Sequence, residues 1–157
     1  MNKIGKHTMD KTTWRNGEWT DELDEIKWSI FIGGYEYKCA IIRGCFGQLC
    51  GYVIINEDHG ALKYNPVNFN VHGGITWNGR SVEKDSEDED TSGEIWLGFD
   101  CAHMDDLIPY DPLHELMAAK KAAEGVTFEY PSHKTYKNIT FVTKEIEELV
   151  KQFETLR

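Results

Sequence analysis

Apolar positions recur along this chain in two rhythms, one after the other. Between residues 28 and 55 they alternate or gather in short blocks, and from Val142 onward they return every three to four residues. Alternation puts successive side chains on opposite faces of a strand, whereas the longer spacing puts them on one face of a helix. Residues 28–32 and Tyr35–Arg43 are rich in aromatic and β-branched side chains and predict two strands. Gly33-Gly34 between them predicts a two-residue hairpin. In the second strand Tyr35, Tyr37, Cys39 and Ile41 share one face. Phe46-Gly47-Gln48 predicts a turn, and residues 49–55 predict a third, strongly apolar strand. The simplest arrangement of the three is an antiparallel meander.

Residues 56–70 read as loop, with a short strand at 67–71 that ends at His72. Ile75-Thr76-Trp77 predicts another strand, closed by the turn dipeptide Asn78-Gly79. Residues 94–99 predict a strand that delivers Asp100 at its end. Two helices follow. Asp111 fits an N-cap with Pro112 in the first helical position, Leu113, Leu116 and Met117 fall on one face, and Gly125 can end the helix. In the last helix Val142, Ile146, Leu149, Val150, Phe153 and Leu156 lie opposite Lys144, Glu147, Glu148 and Lys151. Strands first and helices last give an α+β fold, an antiparallel sheet of about five to six strands with two C-terminal helices. Residues 1–10 are expected to be a flexible tail and residues 11–157 a single domain.

Composition narrows the function classes. The chain has 157 residues, 40% of them hydrophobic, enough for one core and too apolar for a disordered segment. Its net charge of −10 repels phosphate backbones, so broad nucleic-acid binding is not expected. A small phosphorylated ligand needs only a local cluster of donors and stays open. Much of the acidity sits in residues 83–90, which read as a solvated loop without the ligand spacing of a calcium loop. No apolar run approaches the ~18 residues of a membrane span. The first residues lack the apolar stretch of a secretory signal, which predicts a cytoplasmic protein. Cys39, Cys45, Cys50 and Cys101 are then expected to be reduced thiols, and none forms a C-x-x-C pair.

Two short segments concentrate the chemistry. Asp100, Cys101, His103, Asp105 and Asp106 lie at a predicted strand end, where a scaffold presents side chains to a cleft. Asp100 and His103 have D-x-x-H spacing, which suits zinc, manganese or iron ligation and equally suits acid–base work with the carboxylate fixing the imidazole. His72-Gly73-Gly74 is the second centre, where two glycines let the backbone approach a ligand and offer N–H groups. His59, after Glu57-Asp58, is a further candidate ligand. P-loop, dinucleotide-binding and nucleophile-elbow motifs are absent from the sequence.

These segments also carry a resemblance. Gly17-Glu18-Trp19-Thr20-Asp21-Glu22, Leu49-Cys50-Gly51-Tyr52-Val53, His59-Gly60, Val71-His72-Gly73-Gly74-Ile75-Thr76 and Trp96-Leu97-Gly98-Phe99-Asp100-Cys101-Ala102-His103, with Asp105 and Pro109, resemble a family of small proteins from bacteriophages, prophages and plasmids. The likeness runs from Gly17 to Gln152 and departs at Gly60, where the family usually has proline. It implies an accessory protein of a mobile element and no particular reaction. It adds Trp19 and Glu22 to His72, Asp100 and His103 as residues acting together.

Two functions from different classes fit this reading. The first is a binding protein for a small, nucleotide-like ligand, such as a host-defence signal, held by Trp19, Glu22, His72, Gly73, Gly74, Thr76, Asp100 and His103. The second is a metal-dependent hydrolase of the phosphodiesterase kind, in which His59 and Asp105 join His72, Asp100 and His103 around zinc or manganese. A protein-binding inhibitor of a host factor is a third possibility, whose mark would be an exposed apolar patch.

Overall fold

The computed structural model describes residues 2–83, 93–127 and 133–157. Gly33 and Gly34, at φ of 57° and 80°, close the tight hairpin between β2 (Glu25–Ile32) and β3 (Tyr35–Arg43). The chain turns again through Gly47 into β4 (Leu49–Asn56), completing the meander. With β1 (Ile4–Lys6), β5 (Trp77–Gly79) and β6 (Glu94–Asp100) it forms one six-stranded sheet in the order β1-β2-β3-β4-β6-β5. Every neighbouring pair is antiparallel. Two helices, α1 (Pro112–Ala123) and α2 (Ile139–Thr155), complete the α+β fold.

The register decides which side chains share a face. Trp28 stands opposite Cys39, Cys39 opposite Val53, and Val53 opposite Leu97. This row belongs to a dry layer against which α2 packs Val142, Ile146, Leu149, Val150 and Phe153, all buried. Burying one such side chain stabilises by ~1.5–3 kcal/mol, so α2 is held by its apolar stripe. Gly51 lets the helix approach, since a Cβ there would press on Phe99 and Val142. The N-terminus of α2 is capped by Asn138, whose side chain accepts from the Phe141 N–H at 2.9 Å. Among the described residues, the opposite face of the sheet buries Ala40, Ile54 and Trp96 as a small cluster.

Three expectations change. Ile4–Lys6, inside the segment expected to be a flexible tail, pair with Glu25, Ile26 and Lys27 of β2. The cause is Asp24, whose buried carboxylate accepts from the Thr8 and Met9 N–H groups at 2.8 and 2.9 Å and meets Lys11 Nζ at 2.8 Å. Residues 67–71 are not a strand. Pro66–Asn68 form a 3-10 turn capped by Asn65, whose side chain accepts from the Val67 N–H at 3.1 Å, and Pro66 stands in the first turn position it favours. The strand read at Ile75 begins only at Trp77, although the Thr76 N–H already donates to Gly98 at 2.8 Å. Most of the acidic run, residues 84–90, lies outside the described residues, while Glu83 pairs with Lys27. All four cysteines are free. Among the described residues no helix is long and apolar enough to cross a membrane.

Candidate functional site

The two motifs that stand far apart in sequence meet. Their histidine rings, His72 and His103, lie 5.5 Å apart between centroids and cross at 71°. Gly73 makes this possible. It has φ of 68°, and a Cβ built on it would collide with the His103 imidazole. The turn is tied by the Gly74 N–H, which donates to Val71 at 2.8 Å. Gly73 therefore spends its freedom on seating His103, while Gly74, at φ of 81°, has open space beside it.

What binds the pair together is Asp106. Its buried carboxylate lies 2.9 and 3.0 Å from His72 Nε2, accepts from the His103 N–H at 3.0 Å and meets Lys137 Nζ at 3.0 Å. Burial alone would push this carboxyl up. The donors from His72, His103 and Lys137 outweigh burial and hold it below its ordinary value. Asp106 is thus an ionised acceptor, which assigns the proton on His72 to Nε2. His103 Nε2 is 3.4 Å from Asp100 Oδ1, is covered by its surroundings and makes no hydrogen bond.

Other expected members of the site are elsewhere. Asp105 is exposed, and its backbone carbonyl accepts from the Thr135 N–H at 3.0 Å; its neighbour Asp106 is the one that turns inward. Glu22 belongs to a network around Arg43. One oxygen accepts from Tyr136 at 2.5 Å and Arg43 at 3.3 Å, the other from the Ile139 N–H at 3.0 Å, so its carboxylate anchors the start of α2. Trp19 is buried, gives its indole N–H to Arg15 at 2.7 Å and meets Tyr136 edge-on at 5.0 Å. His59 is a buried cap, with Nδ1 accepting from the Ala61 N–H and Nε2 3.0 Å from the Tyr37 hydroxyl. Among the described residues, no group of three or more His, Cys, Asp or Glu side chains is placed to hold a metal ion. The structure thus joins His72, Gly73, Asp100 and His103, with Thr76 bonded to Asp100, while Trp19, Glu22, His59 and Asp105 make their hydrogen bonds to other partners.

Beside this cluster the uncovered face of the sheet forms a concavity of about 400 Å³. That volume falls in the ~300–1,000 Å³ range of small-molecule sites. Phe46, Cys50, Tyr52, Thr76, Trp77 and Asp100 contribute to its walls. Trp77 is 43% exposed, and its indole N–H donates to the Arg80 carbonyl at 3.0 Å. Tyr52 lies across Gly98, where a Cβ would strike its ring. The Thr76 hydroxyl donates to Asp100 Oδ2 at 3.0 Å, and the Ala102 N–H donates to Oδ1 at 3.1 Å. Burial and the nearby Asp100 push the Cys50 thiol up to about 11, so it stays protonated and is a poor nucleophile. A wider groove of about 820 Å³ crosses the same face nearer β2 and touches Phe31, Ile54 and Trp96. Thr76 and Asp100 form part of the wall of the smaller concavity and not of the wider groove.

Tyr52, Phe46 and Trp77 were not proposed as site residues from the sequence, and Asp106 was named only as part of the ionisable group at the strand end, with no role of its own. The period of two carried part of the signal: Cys50 and Tyr52 alternate with Leu49 and Val53, and Asp100 falls in register with Cys50. The three residues of β5 are too few to show such a pattern. No family profile, curated protein or solved structure matches the chain.

Proposed function

We propose that this protein is a mobile-element accessory protein that binds a small nucleotide-like ligand in the cytoplasm of a bacterial host. The base would enter the concavity beside Phe46, Trp77 and Asp100, and capture would withdraw a host-defence signal. The observation that carries this reading is the combination of a partly exposed indole and a carboxylate in a hollow of ligand size. Among the described lining residues there is no lysine or arginine, so a phosphate would remain toward solvent. The phage-like motifs, especially Val71-His72-Gly73-Gly74 and Gly98-Phe99-Asp100-Cys101-Ala102-His103, support the biological setting.

The hydrolase reading has less support. The metal set it needs is not assembled among the described residues. The inhibitor reading draws on one observation, the wider groove with Phe31 70% exposed beside it. Native mass spectrometry of freshly purified protein separates the three. A retained nucleotide is the expected result, bound zinc or manganese would favour the hydrolase, and neither would favour the inhibitor. Calorimetric titration with nucleosides then tests the site: Trp77→Ala should abolish binding, and undiminished binding by that variant would remove the concavity from the proposal.

A further inference from the structure

The lining of the concavity says which base it would accept. Asp100 stands at the end of β6, and its side chain is 30% exposed. Each carboxylate oxygen has two acceptor sites. Oδ2 uses one for Thr76, and Oδ1 uses one for the Ala102 N–H. His103 Nε2, at 3.4 Å, is beyond normal hydrogen-bond length and leaves the second site of Oδ1 unfilled. Each oxygen therefore retains one acceptor site.

An ionised carboxylate only accepts. A base edge that meets it well must present two adjacent N–H donors, and one that presents a lone pair there is repelled and left unpaired. On its pairing edge guanine offers N1–H beside the N2 amine. Adenine offers a bare N1 beside its amine, cytosine a bare N3, and uracil a single N–H between two carbonyls. Resting on the ligand-binding reading above, we infer that the site is selective for a guanine-type base, read by Asp100 through two parallel charge-assisted hydrogen bonds. The aromatic walls supply stacking that does not discriminate among bases, so the discrimination falls to the carboxylate. Thr76 and the Ala102 N–H hold the carboxylate in place and are positioning groups.

Calorimetry on the full chain with guanosine, inosine and adenosine tests this without any variant. Guanosine should bind on the order of tenfold or more tighter than adenosine, and inosine, which lacks the N2 amine, should fall between them. Asp100→Asn should weaken guanosine binding and favour xanthosine, whose C2 carbonyl accepts from the new amide while N1–H still donates. A melting temperature close to that of the unsubstituted protein would show that Asp100→Asn is folded. Equal affinity for guanosine and adenosine, both lost in Trp77→Ala, would overturn guanine selectivity and leave nucleotide binding standing. Binding of no nucleoside would overturn both.

Discussion

Among the described residues, one face of the sheet carries a helix and the other does not. α2 covers the face built from Trp28, Cys39, Val53 and Leu97, burying Val142, Ile146, Leu149, Val150 and Phe153. α1 has an apolar stripe too, yet Leu113, Leu116 and Met117 are all exposed. The difference lies in extent. The α2 stripe spans four turns and meets a matching aliphatic layer, whereas the α1 stripe spans little more than one turn and the uncovered sheet face alternates apolar with charged or polar groups. Periodicity reveals that a helix has an apolar side, and the area that side can match decides whether it docks. The uncovered face is where the concavity formed.

The sharpest way to break this contrast is to truncate the covered face. Leu149 is fully buried, and Leu149→Ala should destabilise by ~2–5 kcal/mol in denaturant unfolding. Lys151→Ala, two residues along the same helix and exposed, should leave unfolding unchanged. Equal effects would refute the docking face. A second test lies between the two faces, at the His72 turn. Gly73→Ala should cost ~1–3 kcal/mol from the positive φ alone, with the collision against His103 in addition. Removing the imidazole in a Gly73→Ala, His103→Ala double variant should return the collision component only. A melting temperature untouched by Gly73→Ala would mean that the turn does not seat His103.

A smaller effect turns on one proton. His59 Nδ1 accepts from the Ala61 N–H, so the ring is neutral with its proton on Nε2, pointing to the Tyr37 hydroxyl, which in turn donates to Glu154 at 2.7 Å. Burial holds the His59 pKa below its ordinary value, reinforced by Arg157 and opposed by Glu154 and Asp58. The unfolded chain therefore takes up this proton first as the pH falls. The contribution of His59 is complete above its unfolded pKa of about 6.5 and declines as the pH drops through that value toward the lower folded one. His59→Asn keeps a side-chain acceptor for Ala61 and does not titrate. Its stability should fall less than that of the unsubstituted chain between about pH 8 and 5, and identical profiles would refute the assignment.

His59 also marks how far the sequence could be read. His59-Gly60 and His72-Gly73 look alike as text. One histidine is closed off by Tyr37 and the far end of α2, the other by Asp106 and Lys137. Those partners come from remote segments, and no local spacing announces them. The same holds for Asp105 and Asp106, adjacent carboxylates of which only one turns toward His72. By contrast β3, β4 and α2 were legible because each repeats its period long enough to define a face. The convergence of His72 with His103 was legible because Asp100, just before His103, ends a strand. Asp111 and Pro112 correctly announced where α1 begins, and nothing in them could announce that its Leu113, Leu116 and Met117 side would stay exposed.

The smallest effect is expected on the exposed side of α1. Leu116 is 67% exposed although it occupies the centre of the α1 stripe. Truncating a side chain that is already in water removes little buried area and creates no cavity, and alanine is the better helix former. Leu116→Ala should therefore shift unfolding by no more than ~0.5 kcal/mol. The comparison with Leu149→Ala is then between two leucines in the apolar stripes of two helices, differing only in what lies opposite them. Should Leu116→Ala destabilise by as much as Leu149→Ala, the stripe of α1 must be covered in solution. The uncovered face of the sheet and its concavity would then have to be reconsidered with it.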